Sequence, residues 1–352
     1  MTNQQPASSN QQLAARHLIV SQHGAFIGKH SQRLRVKVQK EIVAEVPLIH
    51  VDHVLVAARG VSISSDAVRL CTEAGVPITF VAWNGRPYAR LVSAGLVGTV
   101  QTRRQQLLAY TDERGRHLAC AFARGKLGNQ ANLLKRLAKY RKGTDPALYR
   151  EMRQAAVKTK ALADEVGQVE AATVDEARPT LLNLEGRGAS IYWSAVKRLL
   201  PADLDWPGRE GRGATDLVNS LLNYGYGILY TQVEHAAMLA GLDPYAGFLH
   251  VDRPGKPSLV LDLIEEFRQP VVDRAVLALL NRRVALSLDD AGRLDETTRR
   301  TLAGRVLTRL DEGREPYERK KHTLRTILQR QARHVATYVR GKGSYKPFIA
   351  TW

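Results

Sequence analysis

The chain contains 352 residues, and its 52 lysines and arginines exceed its 34 aspartates and glutamates by 18 charges. This length allows two or three domains, and a hydrophobic content of 44% can supply each with a core, which excludes a chain that is disordered throughout. The two cysteines, Cys71 and Cys120, cannot build a disulfide framework or a four-cysteine zinc site, and they fit a reducing cytoplasm. The positive excess favours nucleic acid as partner, although lysine and arginine kept for solubility alone would give the same total.

Residues 1–16 are predicted to be a disordered lead-in. The first twelve are polar and rich in Gln, Asn and Ser, and they lack the basic start and apolar run of a signal peptide. Apolar segments farther along the chain are interrupted before they reach the ~18 residues that a membrane span requires. We therefore expect a soluble protein.

Residues 17–100 are predicted to form a small β-rich domain. Apolar or alternating runs of four to seven residues are separated by Gly, Pro, Asp or His, a pattern typical of strands joined in hairpins. One helix interrupts them, with Ser64 or Ser65 as its N-cap and Gly75 after its end. Asn84-Gly85 is the strongest hairpin signal in the chain.

Beyond residue 100 the apolar residues recur at steps of three and four, which predicts a larger all-α domain over residues 101–340. The fold class is therefore α+β, with the strands first. Residues 258–280 and 315–340 are each predicted to be helical. The tail, residues 341–352, is loop-like, but its aromatic content predicts that it docks on this fold or on a partner. The aromatic residues are Tyr345, Phe348 and Trp352.

The surplus positive charge is concentrated in two blocks of the helical region. Residues 101–160 contain 15 basic and 4 acidic residues, and residues 314–346 contain 10 basic and 2 acidic residues. Charge kept only for solubility would have little reason to segregate in this way. Two basic blocks on helices instead favour a track for a nucleic-acid backbone.

A candidate metal site is predicted around residues 249–273. Asp262 and Glu265 are three residues apart, so on a helix their carboxylates share one face and repel unless a cation bridges them or one is protonated. His250 precedes this helix, and Glu185 is predicted at a helix terminus beside two glycines. Imidazole with carboxylates suits Mn²⁺ and tolerates Mg²⁺, and a cluster of these four residues would suit phosphoryl transfer. The spacing alone also fits a solvated acidic face or ion pairs with neighbouring arginines.

Several segments of the helical region occur in a fixed order. They are LEG at residues 184–186 with YW at 192–193, LLNYGY at 221–226, GLDPYAGFLH at 241–250 and LDLIEEFR at 261–268. As an ordered set they resemble the CRISPR-associated integrase family, the universal endonuclease and integrase subunit of spacer acquisition. Shorter stretches between residues 54 and 130 are also similar, so the resemblance covers roughly residues 17–340.

The resemblance implies a β-sheet domain that mediates a two-fold homodimer and an all-α catalytic domain with one Mg²⁺ or Mn²⁺ site per protomer. The family's glutamate, histidine and downstream acidic ligand match Glu185, His250 and Asp262. A second acid, often Asp in relatives, is Glu265 here. Its longer side chain could bind the metal directly, bind through water, or only orient a neighbour.

The resemblance also implies double-stranded DNA as partner, both as prespacer and as CRISPR repeat, and a small protein whose dimer bridges two integrase dimers. The implied reaction joins prespacer 3′-hydroxyl ends to the repeat by transesterification, and hydrolysis follows when water replaces the hydroxyl. Two alternatives remain, a DNA-repair nuclease acting on branched DNA and a non-catalytic DNA-binding scaffold. Further DNA contacts are predicted at Arg209, Arg212 and Arg253, and at Tyr192 and Tyr224 unless these two belong to the core.

Overall fold

The computed structural model describes residues 13–14, 16–93, 100–204, 206–211 and 214–351. Most of the predicted lead-in lies outside the described residues, but two of its members form a short strand. No helix in the described part of the chain combines the length and the apolar character that crossing a membrane requires.

Strands fill the first part of the chain and helices most of the remainder, which confirms the α+β class. The strands are β1 (Leu13–Ala14), β2 (His17–Val20), β3 (Phe26–His30), β4 (Arg33–Val38), β5 (Glu41–Pro47), β6 (His53–Val56), β7 (Ser62–Ile63), β8 (Ile78–Val81), β9 (Pro87–Leu91), β10 (Arg314–Tyr317) and β11 (Lys320–Thr323). The helices are α1 (Ser65–Glu73), α2 (Val100–Ala109), α3 (Glu113–Lys139), α4 (Pro146–Val166), α5 (Val174–Lys197), α6 (Leu217–Leu239), α7 (Ser258–Ile264), α8 (Arg274–Asn281), α9 (Glu296–Glu312) and α10 (Leu324–Val339).

The chain divides into two compact units that are interleaved along the sequence, whereas the sequence predicted a single boundary near residue 100. The strand-rich unit combines residues 1–96, 213–231 and 285–311. The helical unit combines residues 97–212, 232–284 and 312–352. Helical periodicity could not reveal this division, because helices that belong to the two units have the same pattern.

The strand-rich unit contains two sheets. The strand orders are β1-β2-β6-β8-β9 and β5-β4-β3-β7. Antiparallel hairpins join β3 to β4, β4 to β5 and β8 to β9, as predicted, but β2–β6, β6–β8 and β3–β7 are parallel pairs. The prediction of hairpins throughout is therefore wrong, since each parallel pair needs a longer connection that leaves no local signal. Ser64 caps α1 as predicted, accepting a hydrogen bond from Ala67 N at 3.2 Å.

The predicted Asn84-Gly85 turn also explains why the start of α6 belongs to this unit. Gly85 has φ +79°, a conformation that glycine adopts without strain. A Cβ atom on Gly227 of α6 would lie 2.0 Å from the carbonyl oxygen of Gly85. Nearby, Arg90 Nη2 donates to the Thr231 carbonyl at 2.8 Å. Two glycines thus let the hairpin turn and the helix meet backbone to backbone.

The helical unit departs from the prediction at two places. The predicted helix over residues 258–280 is divided into α7, a π-helix at Arg268–Asp273 and α8. Residues 315–323 belong to the β10–β11 hairpin rather than to a helix, which is a short departure within an otherwise helical unit. Its turn residues Glu318 and Arg319 have φ of 48° and 66°. The sequence offers no glycine or asparagine there, which is why the hairpin carried no signal.

Candidate active site

Three helical segments of the second unit bring an ammonium group between two carboxylates. Lys126 lies on α3, Glu185 on α5 and Glu265 directly after α7. Lys126 Nζ bonds to Glu185 Oε1 and lies 3.0 Å from Glu265 Oε2. Arg268 Nη2 lies 3.1 Å from the other oxygen of Glu265. We call Lys126, Glu185, Glu265 and Arg268 the charge cluster.

Burial makes the charges in this cluster interdependent. Glu185 and Glu265 are 7% and 1% exposed. Burial alone raises the pKa of Glu265, but Arg268 and Lys126 outweigh it and hold the pKa below its ordinary value. Burial likewise lowers the pKa of Lys126, but the two carboxylates outweigh it and raise the pKa above its ordinary value. Each charge is therefore stable in this environment because the opposite charges lie beside it.

Glu185 lies in the interior of α5, so the prediction that it stands at a helix terminus is wrong. The helix continues through both neighbouring glycines, which differ in surroundings. A Cβ atom on Gly188 would lie 2.1 Å from Leu127 Cδ2, whereas one on Gly186 would have no neighbour within 4 Å. Gly188 thus allows α5 to approach α3 one residue from Lys126.

His250 and Asp262 form a second pair. Asp262 Oδ1 accepts from the backbone and ring of His250, at 2.9 Å from N and 2.7 Å from Nδ1. Its Oδ2 accepts from Phe248 N at 2.6 Å and Leu249 N at 3.0 Å. Both oxygens of this fully buried carboxylate are thus engaged. The carboxylate partner assigns the proton of neutral His250 to Nδ1, and no described residue bonds to Nε2.

The loop that carries His250 is also held from its carbonyl side. Arg178 on α5 donates to Leu249 O at 2.9 Å and to Phe248 O at 3.0 Å. Its Nη1 pairs with Asp175. The peptide groups of this loop are therefore bonded on both sides, which fixes the backbone of His250. Sequence reasoning missed Arg178, because an arginine three residues from an aspartate on a helix is typical of a surface ion pair.

The His250–Asp262 pair lies close enough to the two glutamates of the charge cluster for their charges to influence one another. Burial lowers the pKa of His250, but Asp262 and then Glu265 and Glu185 outweigh it and raise the pKa above its ordinary value. Even so, no group of three or more His, Cys, Asp or Glu side chains among the described residues is placed to hold a metal ion. The four predicted ligands thus lie in one region as two pairs. His250 bonds to Asp262, and Glu185 and Glu265 lie on either side of Lys126.

The donor set nevertheless fits a divalent cation. Carboxylate oxygens and an imidazole nitrogen suit Mn²⁺ and Mg²⁺. The buried Glu265 Oε2 receives no hydrogen bond of adequate geometry from the described residues, although Lys126 Nζ is close to it. A carboxylate oxygen in this state has lone pairs that a cation can use. Sequence reasoning missed Lys126 as the partner of these acids. The available signal was a lysine among small and apolar residues of α3, which indicates a buried charge that needs a partner.

The two tyrosines predicted to contact DNA belong to the core. Tyr192 is fully buried, and its hydroxyl donates to Asp273 Oδ2 at 2.8 Å. Tyr224 is 1% exposed and lies in the strand-rich unit. Neither ring is exposed in this structure, which favours the core alternative for both residues.

The three predicted arginine contacts have different positions. Arg253 is exposed, on a turn closed by an isolated bridge to Lys256 that follows the His250 loop. Arg209 is half-buried, with its guanidinium 5.9 Å from the centroid of the Trp193 ring. Arg212 lies outside the described residues. Of the two arginines that the structure describes, Arg253 is the more exposed.

The aromatic tail docks on the helical unit, as one of the two predicted alternatives has it. Tyr345 and Phe348 are 1% and 2% exposed, and Ala350 is fully buried. The Phe348 ring stacks on Phe267, with centroids 5.4 Å apart. Trp352 lies outside the described residues. Two of the three aromatic residues are thus part of the core of this unit.

A family model and two similar proteins carry the same family name. The family model described as CRISPR associated protein Cas1 matches residues 18–306. The CRISPR-associated endonuclease Cas1 1 of Archaeoglobus fulgidus is 38% identical over 95% of this chain and 99% of its own length. The protein of the same name from Francisella tularensis subsp. novicida is 33% identical over 96% of this chain and all of its own length.

Solved structures agree on the fold. A CAS1 protein from Thermotoga maritima superposes with a TM-score of 0.74 at 19% identity, over 94% of this chain and its own entire length. A casposase bound to its integration product gives 0.75 at 22% identity, over 94% and 92%. The Cas1-containing chain of a Cas6-RT-Cas1–Cas2 complex gives 0.73 at 20% identity, over 96% of this chain and 36% of its own length.

Replacing Asp262 by asparagine tests its role in holding the His250 loop. An amide nitrogen would face a backbone N–H, so at least one buried donor would lose its acceptor, and we expect the free energy of unfolding to fall by about 2 kcal/mol or more. Chemical denaturation measures this change. The control is Asp164→Asn, an exposed member of an i,i+4 pair with Lys160, which should cost less than about 0.5 kcal/mol. Equal losses in the two variants would contradict the assigned role.

Proposed function

The chain belongs to the Cas1 family of CRISPR-associated proteins, and from this premise we propose that it is a metal-dependent DNA endonuclease and integrase of CRISPR adaptation. The observation that carries the proposal is the pair of buried carboxylates, Glu185 and Glu265, which two separate segments hold around the Lys126 ammonium, close enough to His250 to raise its pKa. Buried acids that share a cation are suited to binding a divalent ion, and such an ion serves phosphodiester chemistry.

The proposed substrate is double-stranded DNA, and the proposed reaction joins a prespacer 3′-hydroxyl to the CRISPR repeat. A neighbouring fold is a casposase bound to its integration product, and another occurs in a complex with Cas2, which supports DNA and a small Cas2-like protein as partners. The basic residues of 101–160 and 314–346 supply the charge that a DNA backbone needs. We further propose a cytoplasmic homodimer formed through the strand-rich unit.

The proposed ligands are Glu185, Glu265 and Nε2 of His250. When bound there, Mg²⁺ or Mn²⁺ would polarise the scissile phosphate and neutralise the charge that develops on its oxygens. Asp262, predicted from sequence as a ligand, has instead the role of a positioning residue. Its four hydrogen bonds fix the ring of His250 and the proton on Nδ1, as carboxylates behind histidine ligands commonly do.

Other residues of the chain prepare the site for an anionic substrate. Lys126 and Arg268 neutralise the two glutamates in this structure, and Lys126 must leave its position for a divalent ion to bind between them. Exchange of one phosphodiester for another needs positioning and charge stabilisation but no nucleotide hydrolysis. Exposed Arg253 beside the His250 loop is proposed to bind a DNA phosphate.

The variant Lys126→Met tests whether the cluster accepts a divalent ion. Without divalent ions the two buried glutamates lose a counter-charge, and we expect the free energy of unfolding to fall by about 2–5 kcal/mol. Millimolar Mn²⁺ should then raise the Tm of the variant more than that of the wild type, since no ammonium competes with the ion. Differential scanning calorimetry measures both effects.

The exposed Lys139→Met on the same helix is the control, and its Tm should respond to Mn²⁺ as the wild type does. If Mn²⁺ left the Tm of the Lys126 variant unchanged while its unfolding energy had fallen, the proposed metal position would be wrong.

A joining assay tests the reaction itself. A labelled duplex with free 3′ ends, a supercoiled plasmid carrying the repeat, and Mn²⁺ should yield joined product with the wild type. We expect a loss of about 100-fold or more in Glu185→Gln and His250→Ala, because each removes a proposed ligand, and none in the exposed Glu165→Gln. Cleavage without joining would support the repair nuclease, and binding with neither would support the scaffold.

A further inference from the structure

The residue after Glu265 is the point at which the C-terminal segment, residues 344–351, attaches to the site. Glu266 is fully buried, and its Oε1 accepts from the Tyr345 hydroxyl at 2.5 Å. Its Oε2 accepts from Phe348 N at 2.8 Å and Gln331 Nε2 at 2.6 Å. Two of these three donors come from the C-terminal segment. The backbone that carries Glu265 is therefore tied to the end of the chain.

Asn129 makes a second attachment from the helix that carries Lys126. Its Nδ2 donates to Glu266 O at 3.0 Å and to Phe348 O at 2.8 Å, and its Oδ1 accepts from Ala350 N at 2.8 Å. One turn of α3 thus bonds at once to the Glu265–Glu266 backbone and to the C-terminal segment.

Pro270 explains why Glu266 O is available to Asn129. In a continuous helix this carbonyl would accept from the N–H four residues later, but Pro270 has no N–H. The chain adopts a π-helix over Arg268–Asp273 instead, an irregularity that is frequent at functional sites. The side chain of Asn129 replaces the missing donor, so the helix break next to Glu265 is stabilised from α3.

Two glycines let the C-terminal segment reach the turn of α3 around Lys126. A Cβ atom on Gly125 would lie 2.9 Å from Glu266 Cγ and 3.0 Å from Pro347 Cβ. One on Gly128 would lie 2.7 Å from Ile349 Cδ1. Side chains larger than hydrogen at these positions would push the segment away from Lys126.

We propose that residues 344–351 are a positioning element of the active site, which sets Glu265 against Lys126 and His250 through Glu266 and Asn129. The segment bonds to Glu266, which is adjacent to Glu265 in the chain, and to Asn129, which lies one turn from Lys126 on α3, so it acts on the position of Glu265 relative to Lys126. The inference rests on the proposed function for its activity readout, but its metal-binding readout does not require turnover.

Tyr345→Phe removes the hydroxyl that holds Glu266 and keeps the buried ring. We expect the maximal joining rate to fall about ten- to a hundredfold, because a displaced carboxylate costs most in the transition state. The DNA concentration at half-maximal rate should not change, because the basic residues that bind DNA are untouched. The rise in Tm that Mn²⁺ produces should also shrink, because Glu265 is a proposed ligand. The matched control is Tyr140→Phe at the exposed residue directly after α3, which should behave as the wild type does.

Leu162→Ala separates positioning from simple loss of stability. This buried residue of α4 lies in the same unit but has no bond to the segment, and its truncation lowers stability without altering the site. Phe348→Ala removes the ring stacked on Phe267. Compared with Leu162→Ala at the same loss of Tm, it should show a lower joining rate and a smaller Mn²⁺-induced rise in Tm. A matching rate and response in the two variants, or wild-type values in Tyr345→Phe, would overturn the inference.

Inactive wild-type protein in the joining assay would count against the proposed function alone. In that case the Mn²⁺-induced rise in Tm decides the inference: a smaller rise in Tyr345→Phe and Phe348→Ala than in their controls supports it, and an equal rise overturns it.

Discussion

The charge cluster depends on the placement of one ammonium group between two buried carboxylates that belong to different segments. Taking Glu185 and Glu265 out of water is costly, and only an opposite charge at close range compensates for it. Lys126 supplies that charge only if α3, α5 and the turn after α7 converge. The close approach of Gly188 to Leu127 and the bonds of Asn129 across to Glu266 meet this requirement. The charge cluster therefore depends on the packing of these three segments of the helical unit.

Two acidic residues three apart, Asp262 and Glu265, have opposite roles because their partners differ. Asp262 accepts from three backbone N–H groups and an imidazole, so it fixes a loop and its lone pairs are used. Glu265 instead pairs with the side chains of Lys126 and Arg268. A metal ion can replace one of these side chains without disrupting a backbone hydrogen bond. Glu266, the next residue, has only neutral donors, and burial raises its pKa to about 7. The same carboxylate group thus orients a histidine at Asp262, carries a charge at Glu265 and attaches the C-terminal segment at Glu266.

The sequence predicted Glu185, His250, Asp262 and Glu265 as site residues because short-range spacing and an ordered set of motifs carry them. It did not identify Lys126 or Arg178, since the Glu185 and Leu249 groups that they contact at the site lie 59 or more residues away in the chain and no periodicity reports such contacts. The parallel strand pairs were missed because their partners are distant in the chain. The β10–β11 hairpin was missed because its turn lacks the residues that usually mark one. Local patterns therefore predicted the class of fold and most of the ionisable groups, while pairings between distant segments needed the structure.

The central claim is that Glu185, Glu265 and Nε2 of His250 hold a divalent ion where Lys126 now lies. Anomalous scattering from crystals soaked in Mn²⁺, collected with and without bound DNA, tests it most directly. The account predicts one anomalous peak in contact with those three groups, with Lys126 Nζ withdrawn from between the glutamates and Asp262 still bonded to His250. A peak coordinated by Asp262, or an ion bound elsewhere while Lys126 keeps both ion pairs, would contradict the account.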